Sequence, residues 1–527
     1  MTSQRLLTVG AMRRVDAAAI AAGTPGVALM HRAGMAVAGQ AFAMVPAGGC
    51  VLVLCGPGNN GGDGYVAAHL LAQAGRAVDL RALGDPAGLT GDAALAAAEW
   101  TGPVGRVEDP SEFGEPDLVI DALFGAGLTR DIEGAARRVV DAVNAAGRPV
   151  LAVDVPSGLD GDTGRVRGAA VRATCTVTFV APKPGHLLQP GRTLCGALHV
   201  AEIGTGEGAL AAALSGEPAL SRNGPALWGD AFPRLEADSH KYTRGHALVL
   251  SGPAWRTGAA RLAARAALRV GAGLVTVASP ASALPENAAH LTAIMLKPCE
   301  TADDLDDILV DERLNAVLLG PGLGTGGATR DLVAVAAGAG RHLVLDADAL
   351  TSFKGQAPLL AAHVADGGGD AVLTPHEGEF ARLFAGTDAG ADDVSKLERA
   401  RRAAALTGAV VVLKGADTVI AAPDGRAAIN DHGTPYLGTA GSGDVLGGLV
   451  AGLLAQGMPP FEAAAAAVWL HGDAGLRHGP GLIAEDLPEV MPTALAGLLR
   501  QCGPLSWSFI ASESAGMIEK GGASRNM

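Results

Sequence analysis

Aromatic side chains are scarce, at 3% of 527 residues, too few for the stacking platforms that single-stranded nucleic acids need. Positive charge is short as well. Forty Lys and Arg stand against 54 Asp and Glu, and the formal net charge of −14 argues against nucleic acid or an anionic membrane surface as partner. No uncharged apolar run approaches the roughly 18 residues that a membrane-spanning helix needs. Arg13, Arg14 and Asp16 interrupt the one stretch that could pass for a secretory leader. Cysteine is sparse: Cys50, Cys55, Cys175, Cys195, Cys299 and Cys502 form no C-x-x-C and none pairs with His at zinc spacing. They read as small buried apolar residues of a reducing compartment. A cytoplasmic protein with small-molecule partners is the expectation, and the length suggests two or three domains.

Glycine is what the chain has in abundance, 75 residues, many of them in loops that follow short apolar runs. Residues 8–45 read as two helices broken at Thr24-Pro25-Gly26. Val51 to Cys55 reads as a strand, Gly56-Pro57-Gly58-Asn59-Asn60-Gly61-Gly62-Asp63-Gly64 as a loop, and a helix opens at Tyr65. The loop matches neither the dinucleotide fingerprint nor a Walker A motif. Its Asn and Asp oxygens suit a hard cation or ribose hydroxyls.

Strands at Asp117–Leu123 and Pro149–Val155 end in Phe124-Gly125-Ala126-Gly127-Leu128 and in Pro156-Ser157-Gly158. In a doubly wound parallel sheet Asn60, Asp121, Asp154 and Ser157 then meet at the carboxyl edge, where ligands bind. Each Asp alone could equally cap the next helix. Lys183 faces either a phosphate or solvent. Between Gly204 and Ser239 no strand pattern survives, so 211–239 is assigned as a linker between a domain at 1–210 and a second at 240–505. A frayed tail is expected at 506–527.

The second series of strands ends in Gly320-Pro321-Gly322-Leu323-Gly324, Asp346-Ala347-Asp348, Thr374-Pro375-His376-Glu377-Gly378-Glu379 and Lys414-Gly415-Ala416-Asp417-Thr418. The stretch Gly438 to Gly448 holds the sharpest signal. Gly441, Ser442 and Gly443 let the backbone approach a ligand, and the following helix would aim free N–H groups at an anion. Asp444 beside that site is placed to act as a base for a hydroxyl attacking phosphorus, or else as a helix cap.

These motifs, in this order, carry a resemblance. From His246 to Gly475 the chain resembles a ribokinase-type fold, more narrowly the ADP- or ATP-dependent dehydratase of hydrated NAD(P)H. From Thr8 to about Ile203 it resembles NAD(P)H-hydrate epimerase, through Met12-Arg13-x-x-Asp16, Cys55 to Gly64, Asp121-Ala122-Leu123-Phe124-Gly125 and Asp154-Val155-Pro156-Ser157-Gly158. The implied fold is α/β with two domains, an N-terminal Rossmann-like doubly wound sheet and a C-terminal ribokinase-like α/β/α sandwich.

The implied chemistry is cofactor repair. Nicotinamide cofactors hydrate at ring carbon six, the N-terminal half interconverts the R and S hydrates, and the C-terminal half phosphorylates and dehydrates the S form. By resemblance Asp444 is the base there. Gly441, Ser442 and Gly443 hold the phosphoryl group. Lys414, Gly415, Ala416, Asp417 and Thr418 hold the adenine nucleotide with its magnesium ion. Ala259, Gly322, Gly324 and His376 contact the hydrated cofactor. In the N-terminal half Asn60, Asp121 and Ser157 bind a potassium ion. Asn59, Asn60, Gly61, Gly62, Asp63, Gly125, Ala126, Gly127, Leu128, Thr129, Arg130 and Asp131 line the substrate site, and Asp154 is the acid–base group. A homo-oligomer is expected.

Two positions depart from the family pattern: His31, where the epimerases usually carry Glu, and Thr434, where many dehydratases have Asn. The competing reading is a small-molecule kinase, for a hydroxymethylpyrimidine or a sugar, with a nucleotide-binding regulator at its N-terminus. A non-enzymatic binding module for a protein or lipid is a further alternative for the N-terminal half.

Overall fold

The computed structural model describes residues 4–501 apart from 109, 369 and 392, so the expected tail at 506–527 and Cys502 lie outside the described residues. The first sheet contains β1 (Cys50–Cys55), β2 (Ala77–Ala82), β3 (Val104–Arg106), β4 (Leu118–Ala122), β5 (Val150–Val153), β6 (Cys175–Phe179) and β7 (Ala197–Ala201). Its order is β3-β2-β1-β4-β5-β6-β7, parallel throughout. The chain builds outward from β1 and then returns to lay β4 against its other edge. A crevice therefore opens at the carboxyl ends of β1 and β4, where Cys55 lies opposite Ala122. β4 and β5 are buried along their whole length, as strands covered on both faces must be.

One boundary differs from the sequence expectation. The helix expected from Tyr65 begins at Asn59 and runs to Gln73, so most of the predicted glycine loop is helical. A Cβ at Gly61 would strike the Gly56 carbonyl, and one at Gly64 would press on Ala122 Cβ at 2.6 Å and Cys55 Sγ at 2.9 Å. The glycines are there so that the first turns can lie directly on the strand ends. That contact overrides their poor helix propensity.

The second sheet contains β8 (Leu220–Arg222), β9 (His246–Leu250), β10 (Leu274–Ser279), β11 (Met295–Pro298), β12 (Leu314–Leu319), β13 (His342–Leu345), β14 (Ala371–Leu373), β15 (Val410–Leu413), β16 (Val419–Ala421) and β17 (Ala427–Ile429). The order is β11-β10-β9-β12-β13-β14-β15-β16-β17-β8, antiparallel only where β16 meets β15 and β17. Here the reversal falls between β9 and β12. Alternate residues feed two cores: Ala247 and Val249 of β9 enter one, Leu248 and Leu250 the other. The helices Thr257–Val270 and Ser442–Ala455 cover the first face. They cross closely because Gly448 leaves room for the Ala263 carbonyl, which a Cβ would hit. That crossing fixes the helix whose first turn carries Asp444.

The stretch 211–239, expected as an irregular linker, contains β8 and the short helix Pro225–Trp228. β8 extends the second sheet by pairing in parallel with β17. Trp228 is 1% exposed within the second half's core, and its Nε1 donates to Asn223 Oδ1 at 3.2 Å. Three residues are too few to show a strand period, which is why the sequence pattern misses β8. The chain's start is tied to the same strand, with Leu6 N donating to the Leu220 carbonyl at 3.0 Å. A fragment starting at 217 keeps this strand and Trp228; one starting at 240 loses both. The shorter fragment is expected to be less stable by at least the roughly 3–5 kcal/mol of a deleted core tryptophan, measured by urea unfolding. Equal stability would show that β8 and Trp228 contribute nothing. No helix among the described residues is long and apolar enough to cross a membrane.

Candidate functional sites

A cavity of about 600 Å³ occupies the crevice of the first sheet. Of the residues expected there, Asn59, Asn60, Asp63, Gly125, Ala126, Gly127, Leu128, Thr129, Arg130 and Asp154 line it. Gly61 and Gly62 are buried outside its lining, and Asp131 is exposed and also outside it.

Asp154 follows β5 with φ +64°, a conformation that costs a non-glycine residue about 1 kcal/mol or more. Three donors hold it there. Its Oδ1 accepts from Lys183 Nζ at 2.7 Å and Thr178 Oγ1 at 3.0 Å, and its Oδ2 accepts from Ala126 N at 3.0 Å. Burial alone would raise its pKa, but the Lys183 ammonium and these hydrogen bonds bring it down to about 2. Lys183, which the sequence left between a phosphate contact and a solvated position, is instead 2% exposed and paired with Asp154. His186 braces the pair: its Nδ1 accepts from Lys183 N and its Nε2 donates to the Asp154 carbonyl, both at 2.8 Å. Burial pushes His186 down to about 4, so the ring is neutral.

Asp121 and Ser157 come together beside this site. Asp121 is fully buried at the end of β4; its Oδ1 accepts from Ser157 Oγ at 2.6 Å and its Oδ2 from Ser157 N at 2.8 Å. Burial still raises its pKa to about 6 against these hydrogen bonds, and among the described residues no ion pair neutralises it. A Cβ on Gly125 would stand 3.0 Å from Asn60 Oδ1 and 3.3 Å from Asp154 Oδ2, which puts Asn60 across from Asp154. The Asn60 Nδ2 is buried without a partner. Among the described residues no group of three or more His, Cys, Asp or Glu side chains is placed to hold a metal ion.

Asp16 belongs to the motif Met12-Arg13-x-x-Asp16, yet residue patterns alone gave it no role. It too lines the cavity. Burial raises it to about 6, with Lys183 pulling down and Asp154 pushing up. Asp63 is held well above the carboxylate range by burial, then by Asp154 and Asp16.

In the second half Asp444 sits in the first turn of the helix Ser442–Ala455. It does not cap that helix: the N-cap is Gly441, at φ +86°, and no side chain supplies a capping bond. Among the described residues the Asp444 carboxylate has no hydrogen bond or ion pair, and its pKa is pushed up to about 6, by burial first and then by Asp346 and Glu379, with Lys414 opposing. Lys414 follows β15 and places its Nζ 2.9 Å from Asp346 Oδ1. Burial works against its charge, but Asp346 and then Glu379 and Asp444 outweigh this and raise its pKa.

Gly443 lies against the same pair, its Cβ position 3.4 Å from Lys414 Nζ and 3.9 Å from Asp346 Oδ2. A helix N-terminus, an ammonium and a free carboxylate therefore converge. Ser442 Oγ lies 3.0 Å from Nε2 of the buried His471, which burial keeps neutral with a pKa of about 4.

The loop Lys414–Thr418 is pinned from several sides. Thr418 Oγ1 accepts from Gly415 N at 3.1 Å. Asp417 accepts from Lys396 Nζ at 2.7 Å and from Gln189 N of the first half at 2.9 Å, while Arg192 donates to the Ala416 carbonyl at 3.2 Å. The sequence offers no hint of Lys396 or of this contact between halves, because the partners are far apart in the chain.

Gly324 N donates to Asp348 Oδ2 at 2.8 Å, and Gly322 packs its carbonyl on Gly252 at the end of β9. Ala259 is half-buried in the helix Thr257–Val270. His376 caps the helix Glu377–Leu383, its Nδ1 accepting from Gly378 N at 3.0 Å; its side chain stays exposed while its backbone pairs with Lys414. Both departures from the family pattern have local partners: His31 Nε2 lies 2.9 Å from Glu99 Oε1, and Thr434 Oγ1 accepts from Tyr436 N.

Comparison with known proteins matches residues 247–491 to the NAD(P)H-hydrate dehydratase family and residues 26–185 to the family described as YjeF-related protein N-terminus. A bifunctional NAD(P)H-hydrate repair enzyme of Moorella thermoacetica is 39% identical over 504 residues, 90% of this chain and 93% of that protein. The Escherichia coli protein of the same description is 35% identical, covering 87% of each chain. A solved ADP/ATP-dependent NAD(P)H-hydrate dehydratase from Bacillus subtilis, co-crystallised with ATP/Mg2+, is 30% identical with TM-score 0.44, over 50% of this chain and 94% of its own.

Proposed function

The chain belongs to the bifunctional NAD(P)H-hydrate repair enzymes, and from that premise we propose how its two sites divide the work. The N-terminal half interconverts the R and S hydrates of NADH and NADPH. The C-terminal half uses ADP or ATP to return the S hydrate to the reduced cofactor. The observation that carries this reading is the unpartnered carboxylate of Asp444, set in the first turn of a helix beside Lys414.

The carbon-six hydroxyl of the hydrate is a weak nucleophile. Asp444 takes its proton as the bond to phosphorus forms. The N–H groups of Gly441 to Gly443 and the Lys414 ammonium hold the phosphoryl group as charge builds on it. Phosphate then leaves from carbon six and the ring double bond is restored. Among the described residues Asp346 Oδ2 finds no hydrogen-bond partner, which suits a magnesium ion arriving with the nucleotide. When bound, that ion neutralises phosphate charge.

Asp121, Ser157 and Asn60 form a fitting cradle for potassium. Among the described residues Asp121 is a buried carboxylate with no cationic partner, and the Asn60 Oδ1, an oxygen of the kind a hard cation takes, lies beside Gly125 at the same strand ends. A monovalent cation there would supply the missing positive charge and hold the loop after β4 in place.

The test mixes both hydrate epimers with ADP or ATP and follows reduced-nicotinamide absorbance together with released phosphate. Both epimers are expected to be recovered, with one phosphate released per cofactor. A stable phosphate ester in place of free phosphate would overturn the dehydratase reading in favour of a small-molecule kinase. With Asn60→Ala or Asp121→Ala, recovery should stop at the S fraction while pure S hydrate is still consumed at the normal rate. Exchange that persists in both variants and in potassium-free buffer would retire the ion site.

A further inference from the structure

We infer that Asp16 is the catalytic residue that moves the proton during epimer exchange, with Asp154 serving as a fixed negative charge across the same cavity. The inference rests on the epimerase reading of the N-terminal half. The helix Val9–Ala21 turns Val9, Met12, Arg13, Asp16 and Ile20 toward the cavity, a spacing that places them along one helical face. Asp16 is the only acid among them and, among the described residues, finds no hydrogen-bond or ion-pair partner.

Asp154, by contrast, has both oxygens occupied by Lys183, Thr178 and Ala126. Held near 2, it has no proton to give at neutral pH and little tendency to take one. Asp63 also lines the cavity, and burial, reinforced by Asp154 and Asp16, holds its carboxyl well above the usual carboxylate range. The titratable groups around Asp16 are Lys183, Asp154 and Asp63 from other elements and Arg13 on its own helix, with Asp92 and Arg130 also lining the cavity. Burial, with Lys183 opposing it and Asp154 adding to it, leaves Asp16 near 6, where it can both give and recover a proton.

Carbon six of the hydrate bears its hydroxyl next to the ring nitrogen, so exchange requires the carbon–oxygen bond to break and re-form. Asp16 in its acid form protonates the hydroxyl. The carbon–oxygen bond breaks, water departs with the bonding pair, and the nitrogen lone pair closes a carbon–nitrogen double bond. The ring now carries one positive charge, which the Asp154 carboxylate faces. Water adds to carbon six from either side, the pair returns to nitrogen, and the proton shed by the added water returns to Asp16.

The experiment uses the full chain. Asp16→Asn is expected to slow R-to-S exchange at least about a hundredfold, while dehydration of pure S hydrate by the other half stays within about twofold of wild type. In wild type, kcat/KM for exchange should fall as pH rises through about 6, because the acid form is lost, and that limb should vanish in Asp16→Asn. Asp16→Glu should restore part of the rate and the same limb, which a merely structural role would not do. Exchange in Asp16→Asn within a few-fold of wild type overturns the inference, as does a pH limb that persists without Asp16 or one that Asp63→Asn removes instead. A wild-type chain that exchanges no epimers would overturn the epimerase reading itself.

Discussion

Asp444→Asn is expected to lower turnover of the S hydrate by at least about a hundredfold, while nucleotide affinity stays near normal and epimer exchange is untouched. A positioned general base is typically worth about 10²–10⁴ in rate, and Asn keeps the shape but cannot accept the proton. The structure removes the competing explanation. Asp444 caps nothing and holds no partner among the described residues, so the exchange breaks no hydrogen bond there. Relief of its repulsion with Asp346 and Glu379 would if anything steady the helix start.

The same groups set the pH dependence. The base must be ionised, and its carboxyl is raised to about 6 by burial, Asp346 and Glu379. Turnover in wild type should therefore rise with pH through about 6, and this limb should be absent from whatever activity Asn retains. Melting temperature and turnover measured on one preparation decide the matter: an Asn variant turning over within a few-fold of wild type sinks the base assignment.

The residues that meet at each crevice were legible wherever a single stretch carries both a strand end and its loop. Cys55 to Gly64, Asp121 to Gly125, Asp154 to Gly158 and Lys414 to Thr418 are of that kind, because in a parallel sheet every carboxyl end faces the same edge. What stayed hidden depends on residues that chain order separates. Nothing in Lys183-Pro184-Gly185-His186 reveals that the lysine turns back beneath Asp154, 29 residues earlier. Asp16 is similar: it sits on a helix outside the sheet, and only packing brings that face to the cavity. The helix start at Asn59 was hidden for another reason. Glycine and asparagine are poor helix formers, and the close contact with β1 and β4 that favours them is tertiary. The strand β8 is too short for its period to register.

Lys183→Met tests how the Asp154 site is held, and its expected effect is on stability as much as on activity. Lys183 is 2% exposed and Asp154 is largely buried, so the change strands a carboxylate without its counter-charge. Breaking a buried pair from one side typically costs about 3–5 kcal/mol. For a half of this size that corresponds to a fall on the order of 10 °C in the melting of the N-terminal half. The loss should itself depend on pH. In wild type the Asp154 carboxyl lies near 2, below its ordinary range, so the stabilisation is present above about pH 4 and disappears as pH falls toward 2. Wild type and Lys183→Met should accordingly converge in stability over that interval.

The double variant Lys183→Met with Asp154→Leu separates structure from chemistry. Replacing both charges with apolar groups leaves no stranded carboxylate, and such replacements are often neutral or stabilising. Stability should return to within about 2 kcal/mol of wild type, yet exchange should be lost because no negative charge faces the ring. Recovery of exchange together with stability would show that the pair only holds the fold. A single variant as stable as wild type at neutral pH would show that Lys183 does not supply the counter-charge.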